Sequence, residues 1–183
     1  MSQQFASLSD QLISFIEEQK IFFVGTATAD SRVNISPKGM DSLRVISKNK
    51  VVWLNLTGSG NETSAHVQII PRMTIMFTAF EGKPLILRLY GNAKVIHKND
   101  SEWDVLYSLF KPTMGARQIF ELDIDLVQTS CGMSVPLYDY VEDRKLLTKW
   151  AEAKGIEAIR EYWLDKNQLS IDGIITNIGV KNR

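Results

Sequence analysis

VVWLNLTGSGNETSAHVQIIPR, residues 51–72, is the stretch on which the reading of this chain turns. It opens on β-branched and aromatic residues, Val51 to Leu56, enough for one buried strand. The run breaks at Thr57-Gly58-Ser59-Gly60-Asn61. Glu62 to Gln68 can then wind into a short helix, which Pro71 stops from continuing. A flexible loop feeding a helix N-terminus gathers free backbone N–H groups, and the helix dipole favours an anion there. Thr57, Ser59, Asn61, Thr63 and Ser64 add neutral donors, so the segment is a reasonable cradle for one phosphate. No Gly-Lys-Ser/Thr follows and the GxGxxG spacing is missing, so it is neither a Walker A loop nor the dinucleotide fingerprint. An ordinary glycine-rich turn ahead of a capped helix has the same local signature, and such turns are common.

Working outward, the pattern is mostly strand. IFFVGTATA (21–29) turns through Ala29 to Arg32 into RVNIS and reads as a β-hairpin. Further strands are expected at Leu43 to Ile46, Met73 to Phe80, Leu85 to Ile96 and Ile119 to Gln128, punctuated by Asn49, Gly82 and Pro84. In the long strand Leu85, Leu87 and Leu89 share one face and Ile86, Arg88 and Tyr90 the other. Helices are expected at 8–20, capped by Ser7 or Ser9, and from a Ser101–Asp104 capping box to Phe110. TSCGMSVPLYDY reads as an irregular loop, and 142–165 as a helix broken near Gly155. Strands without alternating helices exclude a doubly wound parallel sheet. They fit a mainly β (α+β) fold, a six-stranded antiparallel barrel with peripheral helices. Residues 1–183 read as one domain with a helical tail from about 141.

Composition narrows the function. Lys and Arg (21) balance Asp and Glu (21), so no bulk basic field grips nucleic acid. A single cysteine, Cys131, and two histidines, His66 and His97, leave no disulfide framework and no Cys- or His-rich metal site. The first twenty residues carry polar and acidic groups through their apolar stretch, without the basic start of a signal peptide, and a soluble cytoplasmic protein is expected.

Few residues promise chemistry. Ser36 precedes Pro37, which removes a ladder donor, so a strand end or bulge is expected with Lys38 projecting from it. Arg88, between partly apolar residues on one strand face, suggests a group awaiting an anion, and an edge strand with one solvated charge has the same pattern. His66 reads as a local hydrogen-bonding residue, His97 as exposed, and Cys131 as a loop thiol with nothing to lower its pKa. There is no Ser-His-Asp order and no carboxylate pair, so an enzyme built on this chain would lean on a bound cofactor.

The order hairpin, VNISPKG, VVWLNLTGSGNETSAHV, RMTIMFTAFEG and LILRLYGNAKVI resembles the pyridoxamine 5′-phosphate oxidase-like flavoproteins, over about residues 8–136. It is most similar to a branch carrying S-P-K-G and G-S-G-N-E-T together. The resemblance implies a split β-barrel and a homodimer with two FMN molecules at the interface. Family members hold the FMN with the strand that carries Ser36 and Lys38 here, Lys38 matching the lysine near the flavin ring system. Leu54 and Asn55 match the strand-end pair beside the cofactor. Asn61, Glu62, Thr63 and Ser64 fall where the family usually places an Arg-Lys pair on the phosphate, and Arg88 lies on the strand lining the site. Those four residues are neutral or acidic, and the Arg-x-His motif that holds pyridoxal phosphate is missing, so pyridoxamine phosphate is not the expected substrate. The resemblance implies an FMN-dependent oxidoreductase acting on a small molecule in the cytoplasm. The alternatives are a non-catalytic flavin store or sensor, or a barrel that takes a deazaflavin or haem instead.

Overall fold

The computed structural model describes residues 2–182. Its centre is one antiparallel sheet whose strands lie in the order β3-β2-β6-β7-β8-β5-β4. In chain order these are β1 (Gln3–Phe5), β2 (Phe22–Thr26), β3 (Asn34–Lys38), β4 (Leu43–Ser47), β5 (Lys50–Leu56), β6 (Arg72–Thr78), β7 (Ile86–His97) and β8 (Ala116–Ser130). The sheet curls: Phe22 on β2 meets Trp53 on β5 edge to face at 6.2 Å, although three strands separate β2 from β5. β3 and β4 are the two ends of the ladder, and the gap between them is the split of the barrel.

Alternation fills the barrel. Leu87 and Leu89 of β7 are buried inside with Val24, Val51, Trp53, Ile75, Phe77, Phe120 and Leu122, as the pattern along β7 requires. Trp53 stacks on Phe120 with ring centroids 4.5 Å apart. One end is covered by α1 (Asp10–Glu18), whose Ile16 is buried and whose N-cap is Ser9, accepting from the Leu12 N–H. A second cluster outside the barrel joins Val52, Leu54, Ile96 and Ile119 to Trp103 of α3 (Trp103–Tyr107). α2 (Glu62–Ile69) follows the glycine-rich loop. α4 (Leu146–Lys166) and α5 (Ile178–Lys181) make the tail, and α4 kinks at Gly155, where φ is 73°.

The structure corrects several expectations. Among the described residues there are eight strands and not six. β1 pairs with β8 although all three of its residues are exposed, so it carries no apolar signal. β3 ends at Lys38, one residue after Pro37, as expected, but without a bulge, because β3 is an edge with one neighbour and loses little by lacking a donor. The Ser101–Asp104 box does not form: the Ser101 hydroxyl donates to the Glu102 carboxylate at 2.9 Å. The tail helix starts at Leu146 and not near 142. His97 is fully buried and not exposed, because α5 closes over it through Lys98 N–H to Asn182 Oδ1 (3.0 Å) and Asn99 N–H to Lys181 O (3.1 Å). Burial, reinforced by the Lys181 charge, lowers its pKa to about 4.

Candidate functional site

β3 brings a polar row into an otherwise apolar interior. Its residues Asn34, Ser36 and Lys38 stand opposite Thr26, Val24 and Phe22 of β2, which are buried, and directly opposed residues share a sheet face. The Lys38 ammonium lies 5.2 Å from the Trp53 ring centroid. Burial, with repulsion from Arg117 adding to it, lowers its pKa to about 8. Among the described residues no carboxylate comes within ion-pair distance of it. Ser36 Oγ and Trp53 Nε1 are buried there without a hydrogen-bond partner.

The facing wall is the glycine-rich loop and the start of α2. Asn34 Nδ2 reaches Thr63 Oγ1 at 3.2 Å, which ties β3 to α2. The loop carbonyls face the tail: those of Gly58 and Ser59 accept from Asn167 Nδ2 (3.1 and 3.3 Å), and that of Gly60 accepts from Arg117 Nη2 (2.7 Å). A trans peptide sets its N–H opposite its C=O, so the N–H groups of Ser59, Gly60 and Asn61 turn away from the tail. The first turn of α2 adds N–H groups that have no partner within the helix. Glu62 keeps its charge on the tail side, where Oε2 accepts from the Ile171 N–H at 3.0 Å.

Arg117 of β8 lies behind this loop and is 3% exposed. Nη1 donates to Asn167 Oδ1 at 2.8 Å. With its amide oxygen turned to the guanidinium, Asn55 accepts from Nε and Nη2 at 3.1 and 3.2 Å. Burial lowers the Arg117 pKa to about 9, and no ion pair compensates the charge among the described residues. The sequence reading missed Arg117 because nothing local marks an arginine at the start of a strand. Its meaning comes from residues 50 to 60 positions away.

The structure therefore gathers Ser36, Lys38, Asn55, Asn61 and Thr63 around the split. Ser64 and Thr57 are close by, but their hydroxyls serve the fold. Ser64 Oγ accepts from Gln118 (3.0 Å) and donates to Thr176 O (3.3 Å), while Thr57 Oγ1 donates to Gly115 O (2.7 Å) and accepts from Trp163 Nε1 (2.8 Å). Leu54 turns to the opposite face of β5, into the cluster under α3. Arg88 lies on the outside of the sheet, donating to Ser130 Oγ at 3.1 Å, beside a separate cavity of about 320 Å³ lined by Phe23, Ile35, Arg72 and Met76. His66 bonds across to β2 and not locally, its Nδ1 3.1 Å from Thr26 Oγ1, and Cys131 is exposed. Next to Lys38 the split widens into a cavity of about 700 Å³ roofed by residues 138–147. The roof is held by the Tyr138 N–H on Phe80 O (2.9 Å), and the two rings lie 5.5 Å apart. Among the described residues no cluster of His, Cys, Asp and Glu could hold a metal.

The model of the pyridoxamine 5′-phosphate oxidase family matches residues 8–131 of this chain. The pyridoxamine 5′-phosphate oxidase family protein ustO of Aspergillus flavus is 37% identical over 188 residues, covering 93% of this chain and 76% of ustO. The chain belongs to the pyridoxamine 5′-phosphate oxidase family. Solved structures share its fold. A candidate pyridoxamine 5′-phosphate oxidase from Lactobacillus delbrueckii superposes with a TM-score of 0.54 at 16% identity, covering 67% of this chain and 94% of its own. HutZ, the haem storage protein of Vibrio cholerae, superposes with a TM-score of 0.50 at 16% identity, covering 69% of this chain and 97% of its own. The tail that carries Trp163, Asn167 and Thr176 lies beyond the matched family segment. No helix among the described residues is long and apolar enough to cross a membrane.

Proposed function

We propose that the chain binds FMN in the split and uses it to oxidise or reduce a small organic molecule. The observation that carries this reading is the pair of cations, Lys38 and Arg117, buried at one split with no carboxylate within ion-pair distance of either among the described residues. Two such charges are costly together unless an anionic ligand compensates them. Ser36 Oγ, Trp53 Nε1 and Asn61 Oδ1, buried without partners, offer hydrogen bonds that suit a polar heterocycle on a hydroxylated chain. One short phosphate loop and no second glycine-rich turn favour FMN over a dinucleotide. Once bound, the flavin supplies hydride and electron transfer. Lys38 sits toward its ring system, the loop from Thr57 to Ser64 toward its phosphate, and the 700 Å³ cavity beside Lys38 takes the substrate. Purified protein is expected to show the two-band visible spectrum of an oxidised flavin and to bleach under anaerobic reductant. A haem spectrum, or no chromophore and no uptake of added FMN, would sink the reading. A flavin spectrum without turnover on any reductant would make the protein a flavin carrier.

The outer face of β2, β3, β6 and β7 supports a dimer. Val33 and Ile35 are 71% and 69% exposed beside the cavity lined by Phe23, Met76, Arg72 and Arg88. A second copy would cover them, and Arg88 would serve a flavin site only across that interface. An obligate interface buries more than about 2,000 Å². Sedimentation at micromolar concentration is expected to show a species of twice 20.7 kDa, and a single monomeric boundary would count against it.

A further inference from the structure

We infer that Asn167, in the tail, is a positioning residue for the phosphate end of the flavin site, acting through Arg117 and the loop carbonyls. The inference rests on the flavin reading above. Asn167 is fully buried, and both ends of its side chain are engaged: the amide oxygen by Arg117, the amide nitrogen by the carbonyls of Gly58 and Ser59. Its own carbonyl accepts from Thr176 Oγ1 (2.6 Å) and Asn61 Nδ2 (3.4 Å), so the tail fixes the residue from one side and the loop from the other.

Two consequences follow for an anion. With three successive carbonyls held on the tail side, the intervening N–H groups form a one-sided concavity, and such nests bind anionic oxygens. The second consequence is electrostatic. Asn167 offers Arg117 a neutral acceptor where aspartate would offer a carboxylate. The other groups on the guanidinium, the Gly60 carbonyl and Asn55, are neutral as well. Glu62 acts on Arg117 only from beyond ion-pair distance, so no carboxylate bonded to the guanidinium competes with a dianion on the far side of the loop. Asn61 Oδ1, 98% buried at the N-cap and lacking a donor, is a further group that a hydroxyl-bearing phosphate ester would satisfy. The asparagine both shapes the nest and adds no carboxylate beside its charge.

The test compares FMN with riboflavin, which lacks the phosphate, by titration calorimetry on wild type, Asn167→Asp and Arg117→Gln. The expected result is that the preference for FMN over riboflavin falls at least about tenfold in each variant. Riboflavin affinity is expected to stay within about twofold of wild type, a small fraction of 1.4 kcal/mol. An unchanged preference in either folded variant overturns the inference. Hydrogen exchange on wild type needs no variant. FMN is expected to slow backbone exchange across 167–177, riboflavin not, and equal effects of the two ligands overturn the inference. Wild type that binds both flavins equally overturns this inference alone. Wild type that binds neither overturns the flavin reading as well.

Discussion

Replacing Gly91 by alanine is expected to cost about 3–5 kcal/mol, enough to leave little of a typical domain's stability. Gly91 sits where the β7–β8 ladder slips register: Tyr90 stands opposite Leu126, but Gly91 stands opposite Ile124. The bulge presses the two backbones together there. A Cβ at Gly91 would lie 1.9 Å from the Asp123 carbonyl oxygen, 2.9 Å from its carbon and 3.0 Å from Ile124 Cα. All three are backbone atoms of the longest strand pair, so no rotamer change relieves the clash and the ladder itself must open. Gly25 provides the control. A Cβ there would meet Thr74 O at 3.8 Å, an ordinary contact, and Gly25→Ala should stay within about 1 kcal/mol of wild type. Urea melts of the two variants check this. Equal midpoints would mean that β7 and β8 do not approach each other as described.

Gly91 also shows where sequence reading ended. The strand carrying it was legible from alternation alone, since Leu87 and Leu89 point inward and Arg88 outward as the pattern demands. The register slip that makes the glycine necessary depends on Asp123, more than thirty residues away. The site divided in the same way. Lys38, Ser36 and the loop from Thr57 to Thr63 could be found because a proline, glycines and short polar residues leave local marks. Arg117 and Asn167 leave none. One is an arginine at a strand start and the other an asparagine after a helix, and each acquires its role when the tail folds back over the loop. Glu62 was misleading for the opposite reason: its charge was visible, but the Ile171 N–H that turns it aside was not. Arg88 stood out because of its strand face, and that face turned out to be the outside of the sheet.

Lys38→Met is expected to move two properties in opposite directions. In the free protein the substitution replaces a desolvated ammonium by an apolar chain of similar length beside Trp53. It should raise the melting temperature by about 2–4 °C, the size of about 1 kcal/mol in a chain of this length. FMN affinity should fall about tenfold, the size of one charge-assisted hydrogen bond. Riboflavin affinity should fall with it, because the proposed pose sets Lys38 at the ring end of the site and not at the phosphate, unlike Arg117 and Asn167. The pH dependence follows from burial, which lowers the Lys38 pKa from 10.5 to about 8. Between those values the unfolded chain holds the proton and the folded chain has lost it, so the stability of the free protein gains from this group as pH rises through that window. Binding has the opposite sign, since the ligand needs the ammonium: FMN affinity should decline as pH rises through about 8, by up to tenfold per unit. In Lys38→Met both slopes should vanish together. Melting curves and FMN titrations from pH 7 to 10 on both proteins would decide it. A methionine variant that keeps the alkaline loss of affinity would assign that titration to another group and remove Lys38 from the flavin.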